Sequence, residues 1–147
     1  MSVTHRTASV GAASPAQHRT RNFLVVVAGA LVAVAANAVV AAAAVAAGAD
    51  SGFAPLQLFV FAPFTILGVI AAYAGWRIVR RRAGSPAAVL RVLVPVLTVL
   101  SFVPDAVLAL TGFIPGASVT GVVGLALMHL VVVGIVVPLS ARIAPVR

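Results

Sequence analysis

Asp105 and His129 are the residues of this chain best placed to carry chemistry, because each stands within a long apolar stretch. An ionisable side chain at membrane depth costs roughly 2.5–3.5 kcal/mol on insertion scales, so its presence points to a partner or a use. A carboxylate and an imidazole are also a minimal pair for holding and moving a proton. Thr98, Ser101 and Asp105 recur at i, i+3 and i+7, which puts them on one helical face. Asn37 and Thr65 are two further polar side chains inside apolar runs. Together with His129 and the Thr98–Ser101–Asp105 face they form a candidate intramembrane polar site.

Depth can be counted from the outer helix ends at about 1.5 Å per residue. Asn37, Thr65, Ser101 and His129 then fall close to mid-depth as one polar belt, with Asp105 about two turns above it. On that count a direct Asp105–His129 bond is not expected, and a water-bridged pair is. A neutral imidazole offers one donor and one acceptor. Asn37 is its expected partner, with Ser101 and the Leu100 carbonyl, loosened by Pro104, as further choices.

No stronger constellation is present. There is no metalloprotease HExxH, no Walker loop, no carboxylate dyad and no cysteine. His5 and His18 lie in a polar N-terminal segment and cannot share a site with His129. No catalytic residue, metal site or cofactor is therefore expected. Arg77, Arg80, Arg81, Arg82 and Arg91 form a basic cluster. They read as topology anchors, with a secondary attraction for anionic lipid heads of about 1 kcal/mol per residue.

The elements that must position these residues follow from composition. The chain is 63% hydrophobic and 8% charged over 147 residues, whereas about a quarter of a soluble protein is charged. Asn22–Ala49 and Ala106–Ala141 carry no charge at all, and each exceeds the ~20 residues that span a bilayer as a helix. Soluble, disulfide-stapled and disordered classes are excluded. The formal charge of +8 would suit nucleic acid, but the arginines flank apolar runs, so topology accounts for them and no nucleic-acid partner is expected.

The reading is all-α: an integral membrane four-helix bundle, up-down-up-down. Residues 1–21 are expected to be a disordered cytoplasmic tail, 22–141 the membrane domain and 142–147 a short cytoplasmic tail. The spans are expected at about 23–48, 55–76, 89–110 and 118–139. With the N-terminus inside, the inner segments hold 3, 5 and 2 arginines and the outer turns none, the asymmetry of the positive-inside rule. Tyr73 and Trp76 are expected at the inner interface of span two. Small-residue stripes at Gly29/Ala33/Asn37/Ala41, Thr65/Gly68/Ala72/Gly75 and Gly121/Gly124/Gly134 are expected to pack the helices. Pro104 is expected to kink span three.

Ser101-Phe102-Val103-Pro104-Asp105, Ala126-Leu127-Met128-His129 and Val137-Pro138 resemble motifs of a family of small four-span membrane proteins of unknown function from high-GC Gram-positive bacteria. The resemblance covers about Phe23 to Arg142. It implies a topology and no reaction, and it points at His129 first and Asp105 second. Two functions are expected. One is a non-enzymatic accessory or interaction protein of the plasma membrane, partnered by lipid, a second copy or another membrane protein. The other is a small oligomeric transporter or proton-coupled carrier that uses His129 and Asp105.

Overall fold

Inside hydrocarbon each backbone N–H and C=O must find its partner within the protein, and a helix provides this segment by segment. The computed structural model describes residues 15–146, which form helices and turns with no strand among them. Helix α1 spans Pro15–Ala46, α2 Leu58–Arg82, α3 Pro86–Ser101, α4 Val103–Thr111 and α5 Val119–Ile143, with a 3-10 turn over Ala54–Leu56. Helices α3 and α4 are two halves of one span. Four stretches are thus long and apolar enough to cross a membrane: Ala16–Ala46, Leu58–Arg82, Pro86–Thr111 and Val119–Ile143.

The ends differ from expectation in instructive ways. Helix α1 begins at Pro15, not near Phe23, so Pro15 to Arg21 are helical rather than a disordered tail. Pro15 has the fixed φ that suits a first helical position, and no Gly or Pro interrupts the helix before Gly29. The part of the expected tail before Pro15 lies outside the described residues, as does Arg147. Pro55 starts no long helix; it sits in the 3-10 turn, and α2 begins at Leu58. Helix α2 then runs on to Arg82, which places Arg80, Arg81 and Arg82 in its last turn, where cations favour the negative end of the dipole. Helix α5 carries through Pro138 to Ile143, so Arg142 is helical too. Its first turn is capped by Ser118, whose hydroxyl accepts from the Gly121 N–H at 3.1 Å.

Contacts along the helices fix their directions. A Cβ on Gly29 would meet Leu139 at 3.1 Å and one on Gly124 would meet Ala44 at 2.9 Å, so α1 and α5 run antiparallel. Asn37 meets Thr65 while Ala30 and Ala33 cluster with Val69, so α1 and α2 are antiparallel as well. Trp76, Leu90 and Ala144 form one cluster at the far end of α2 and α5 and the start of α3. Every described arginine therefore belongs to the end of the bundle where α1 and α3 begin and α2 and α5 finish. At the opposite end the two turns meet: a Cβ on Gly116, whose φ is +80°, would lie 2.9 Å from Asp50 Oδ2.

The packing is large into small. Helix α1 presents Ala30, Ala33, Asn37, Ala41 and Ala44 as its buried face. Helix α2 answers with Phe61, Thr65, Val69 and Trp76. The small stripe expected on α2 is therefore displaced from the true contact face. Thr65 lies in it and Gly68 at its edge, but Ala72 is exposed and Gly75 has no neighbour within 4 Å of a Cβ. Gly134 on α5 is open in the same way, whereas Gly121 and Gly124 are buried against Phe53 and Ala44. Trp76 lies at the arginine end of α2, the end at which it was expected. It is buried, and its indole N–H donates to the Ala144 carbonyl at 2.9 Å, tying α2 to the end of α5.

Candidate functional site

The site begins with a broken helix. Pro104 has no N–H to offer the Leu100 carbonyl, and its ring crowds the preceding turn. The chain breaks there into two helices instead of only bending. Helix α3 stops at Ser101, and Phe102 lies between the halves with its N–H on the Val99 carbonyl at 3.1 Å. Helix α4 restarts at Val103 with Pro104 in its first turn. Asp105 is its third residue, where a carboxylate faces the positive end of the helix dipole.

The break presents Asp105 to α5. Asp105 Oδ2 lies 3.3 Å from His129 Nδ1, with the aspartate side chain 10% exposed and the histidine 38%. The same Nδ1 lies 3.0 Å from the Leu125 carbonyl, one turn back on α5. A carbonyl oxygen can only accept, so Nδ1 must carry the proton of that bond. Asp105 Oδ2 is buried and accepts no hydrogen bond from any described residue. The carboxylate thus lies beside the imidazole, while the ring's Nδ1–H is within bonding distance of the Leu125 carbonyl. Phe102 closes one side, its ring edge-on to the imidazole at 6.0 Å between centroids.

This contact corrects the expected separation of the pair. The depth count set the end of α4 and the start of α5 at one level. Contact between Asp105 and His129 on antiparallel helices requires α5 to begin about 6 Å beyond the end of α4, at 1.5 Å rise per residue. The turn from 112 to 118 spans that offset, and Gly112 makes it possible with φ at +60°.

The other belt residues are not drawn to His129. Asn37, its expected partner, instead donates from Nδ2 to Thr65 Oγ1 at 2.9 Å. Thr98 donates to the Val94 carbonyl at 2.8 Å, and Ser101 to the Thr98 carbonyl at 2.7 Å. Both hydroxyls are therefore held within their own helix and do not reach His129, although they stay half-buried. The single belt resolves into two separate pairs, Asn37–Thr65 between α1 and α2 and Asp105–His129 between α4 and α5. Phe102 and the Leu125 carbonyl were missed from sequence. Their signals were present: a residue two before a mid-span proline, and the backbone acceptor four before a histidine.

Among the basic residues, Arg77 lies 5.8 Å from the Tyr73 ring centroid as a cation–π contact, and Arg80, Arg81, Arg82 and Arg91 are exposed. They stand at the opposite end of the bundle from the turn joining α4 to α5. Among the described residues no three His, Asp or Glu gather as a metal set.

A family profile described as a family of unknown function, DUF6069, matches residues 17–145. No curated protein and no solved structure matches the chain.

Proposed function

The chain belongs to the family of unknown function DUF6069, and from that membership and the shape of the bundle we propose that it is a non-enzymatic accessory or interaction protein of the plasma membrane, with both termini cytoplasmic. The observation that carries this reading is the uneven use of the four spans. Only 11% of the most apolar window of Pro86–Thr111 is buried, against 22% for Ala16–Ala46. Helix α1 buries one face against α2 and α5, whereas Val92, Val96, Val99 and Leu100 of α3 face outward. A helix so little engaged within its own bundle is free to pack against a second copy in the plane of the membrane. The chain has no cysteine, so single cysteines at Val96 and, as an internal control, Val69 report on this directly. Oxidation in native membranes should give a disulfide-linked dimer from Val96→Cys and none from Val69→Cys. Absence of dimer from Val96→Cys, Val92→Cys and Val99→Cys alike would defeat the reading.

A second reading is favoured by the 3.3 Å Asp105–His129 contact. In it the chain is a proton-coupled carrier, assembled as an oligomer because four helices alone enclose little space. Reconstitution into liposomes under a pH gradient tests this: flux should appear with the parent chain and vanish with His129→Gln, which keeps hydrogen bonding but cannot titrate.

A further inference from the structure

We propose that His129 Nε2 is a protonation site entered from the arginine-free end of the bundle, with Asp105 as its fixed counter-ion. The inference deepens the second reading of this site, and the experiment below keeps the two separable.

The division of labour within the imidazole comes from geometry. Nδ1 is 3.0 Å from the Leu125 carbonyl, which requires a proton on Nδ1 in either charge state of the ring. The nitrogen left to gain or lose a proton is Nε2. A proton from water adds to the Nε2 lone pair, the ring becomes imidazolium, and the Nδ1–H bond to Leu125 stays as it was. The added charge then lies beside a carboxylate oxygen at 3.3 Å that accepts no hydrogen bond from any described residue. An unpartnered buried carboxylate is costly in a low-dielectric setting, and a neighbouring cation relieves that cost. Asp105 is the more enclosed member of the pair, and the imidazole is the member that the bundle covers less.

Among the described residues no other charge stands beside the pair, and on α1 the ionisable residues are His18, Arg19 and Arg21, all toward the arginine end. On the α3–α4 span the next ionisable residue is Arg91, about 20 Å from Asp105 along the helix at 1.5 Å rise. On α5 it is Arg142, again about 20 Å from His129. On α2 the titratable residues are Tyr73, Arg77 and Arg80–Arg82, all toward the arginine end. Asp50 sits at the outer turn against Gly116.

The seam between α4 and α5 is open outward of the pair, toward the arginine-free end. A cleft of about 270 Å³ lies between α4 and α5, lined by Ala109, Gly112, Ala117, Ser118, Val119 and Val122. Its Ala109 wall stands one helical turn above Asp105. The cleft has room for water, and Ser118 lends it polar character.

Nitrogen NMR of the full chain, labelled at histidine and held in lipid bilayers, tests the proposal. His129→Gln identifies the His129 signals among those of His5 and His18. At high pH the parent should show His129 protonated on Nδ1 and bare on Nε2. Lowering the pH should protonate Nε2 while the Nδ1 signal moves little. Asp105→Asn removes the counter-ion at nearly constant shape. At a pH where the parent ring is half protonated, the ratio of imidazolium to neutral ring should fall at least tenfold in this variant. Ala109→Leu, which narrows the cleft, should slow Nε2 proton exchange with water and leave that ratio unchanged. A neutral ring protonated on Nε2 and bare on Nδ1 would overturn the proposal, and this measurement needs only the parent. An unchanged ratio in a folded Asp105→Asn chain would overturn it equally. If the NMR behaves as stated and liposome flux is absent, the carrier reading falls while the protonation site stands.

Discussion

Asn37 donates from Nδ2 to Thr65 Oγ1 at 2.9 Å, with the two residues 1% and 5% exposed between α1 and α2. Interhelical hydrogen bonds of this kind average about 0.6 kcal/mol in a membrane and reach about 1.7. Asn37 Oδ1 is buried and finds no partner among the described residues, so the pair sits toward the weaker part of that range. Asn37→Ala and Thr65→Val should each lower stability by about 1 kcal/mol, with a coupling energy near 0.6 kcal/mol in the double-mutant cycle. Reversible unfolding in mixed micelles measures it. Strict additivity would mean that the bond contributes nothing.

Helices α1 and α5 approach closely at Gly124, where a Cβ would fall 2.9 Å from Ala44 Cβ. Neither atom can swing aside, because each is fixed to its backbone. Gly124→Ala should therefore destabilise by about 1–3 kcal/mol, the range for overpacking. Adding Ala44→Gly should recover much of the loss. Gly134→Ala is the control, since a Cβ there meets nothing within 4 Å. It should be neutral or slightly stabilising through helix propensity. Equal effects at Gly124 and Gly134 would contradict the contact.

What could be read from the sequence was set by physics that acts along the chain. Long apolar runs located the four spans, because the bilayer imposes a length and a composition on each one separately. The alanine face of α1 was legible from its own spacing. The face of α2 was not, since which residues point inward depends on the neighbour: against small α1, bulky Phe61 and Val69 fit better than Ala72 and Gly75. Asp105 and His129 were legible as polar residues at depth, but their contact was not. Counting rise along each helix cannot see that the turn before α5 offsets the two helices. The break at Phe102 was read only as a kink, since proline fixes the loss of one bond and not whether the helix restarts.

Orientation in the membrane should follow the clustering of arginines at one end. Arg19, Arg21, Arg77, Arg80–Arg82, Arg91 and Arg142 gather there, while Asp50 and Gly116 meet at the other. Reporter fusions after Ser51 and Gly116 should give an extracytoplasmic signal, and fusions after Gly84 and Ile143 a cytoplasmic one. A cytoplasmic signal from Gly116 would reverse or break this arrangement.

The sharpest stability test concerns what the Asp105–His129 pair does for the docking of α4. This helix has nine residues and packs chiefly on α5, through Leu108, Asp105 and the preceding Phe102. Leu108 belongs to the main apolar cluster with Met128 and Phe53, so part of the docking is apolar and independent of charge. Breaking a buried pair on one side leaves the other charge uncompensated and costs about 3–5 kcal/mol where both groups are sealed. His129 is 38% exposed on its side chain, so the loss on His129→Leu should be smaller, at about 1–3 kcal/mol. Replacing both residues removes the buried carboxylate along with its partner. Apolar substitution of a whole buried pair is often neutral or stabilising. Asp105→Leu with His129→Leu should therefore be more stable than His129→Leu alone, within about 1 kcal/mol of the parent. Amide hydrogen exchange over Val103–Thr111 gives the local readout: faster in His129→Leu, near parental in the double variant. If the double variant exchanges faster than the single one, the pair fastens α4 and its contact outweighs the cost of burying it.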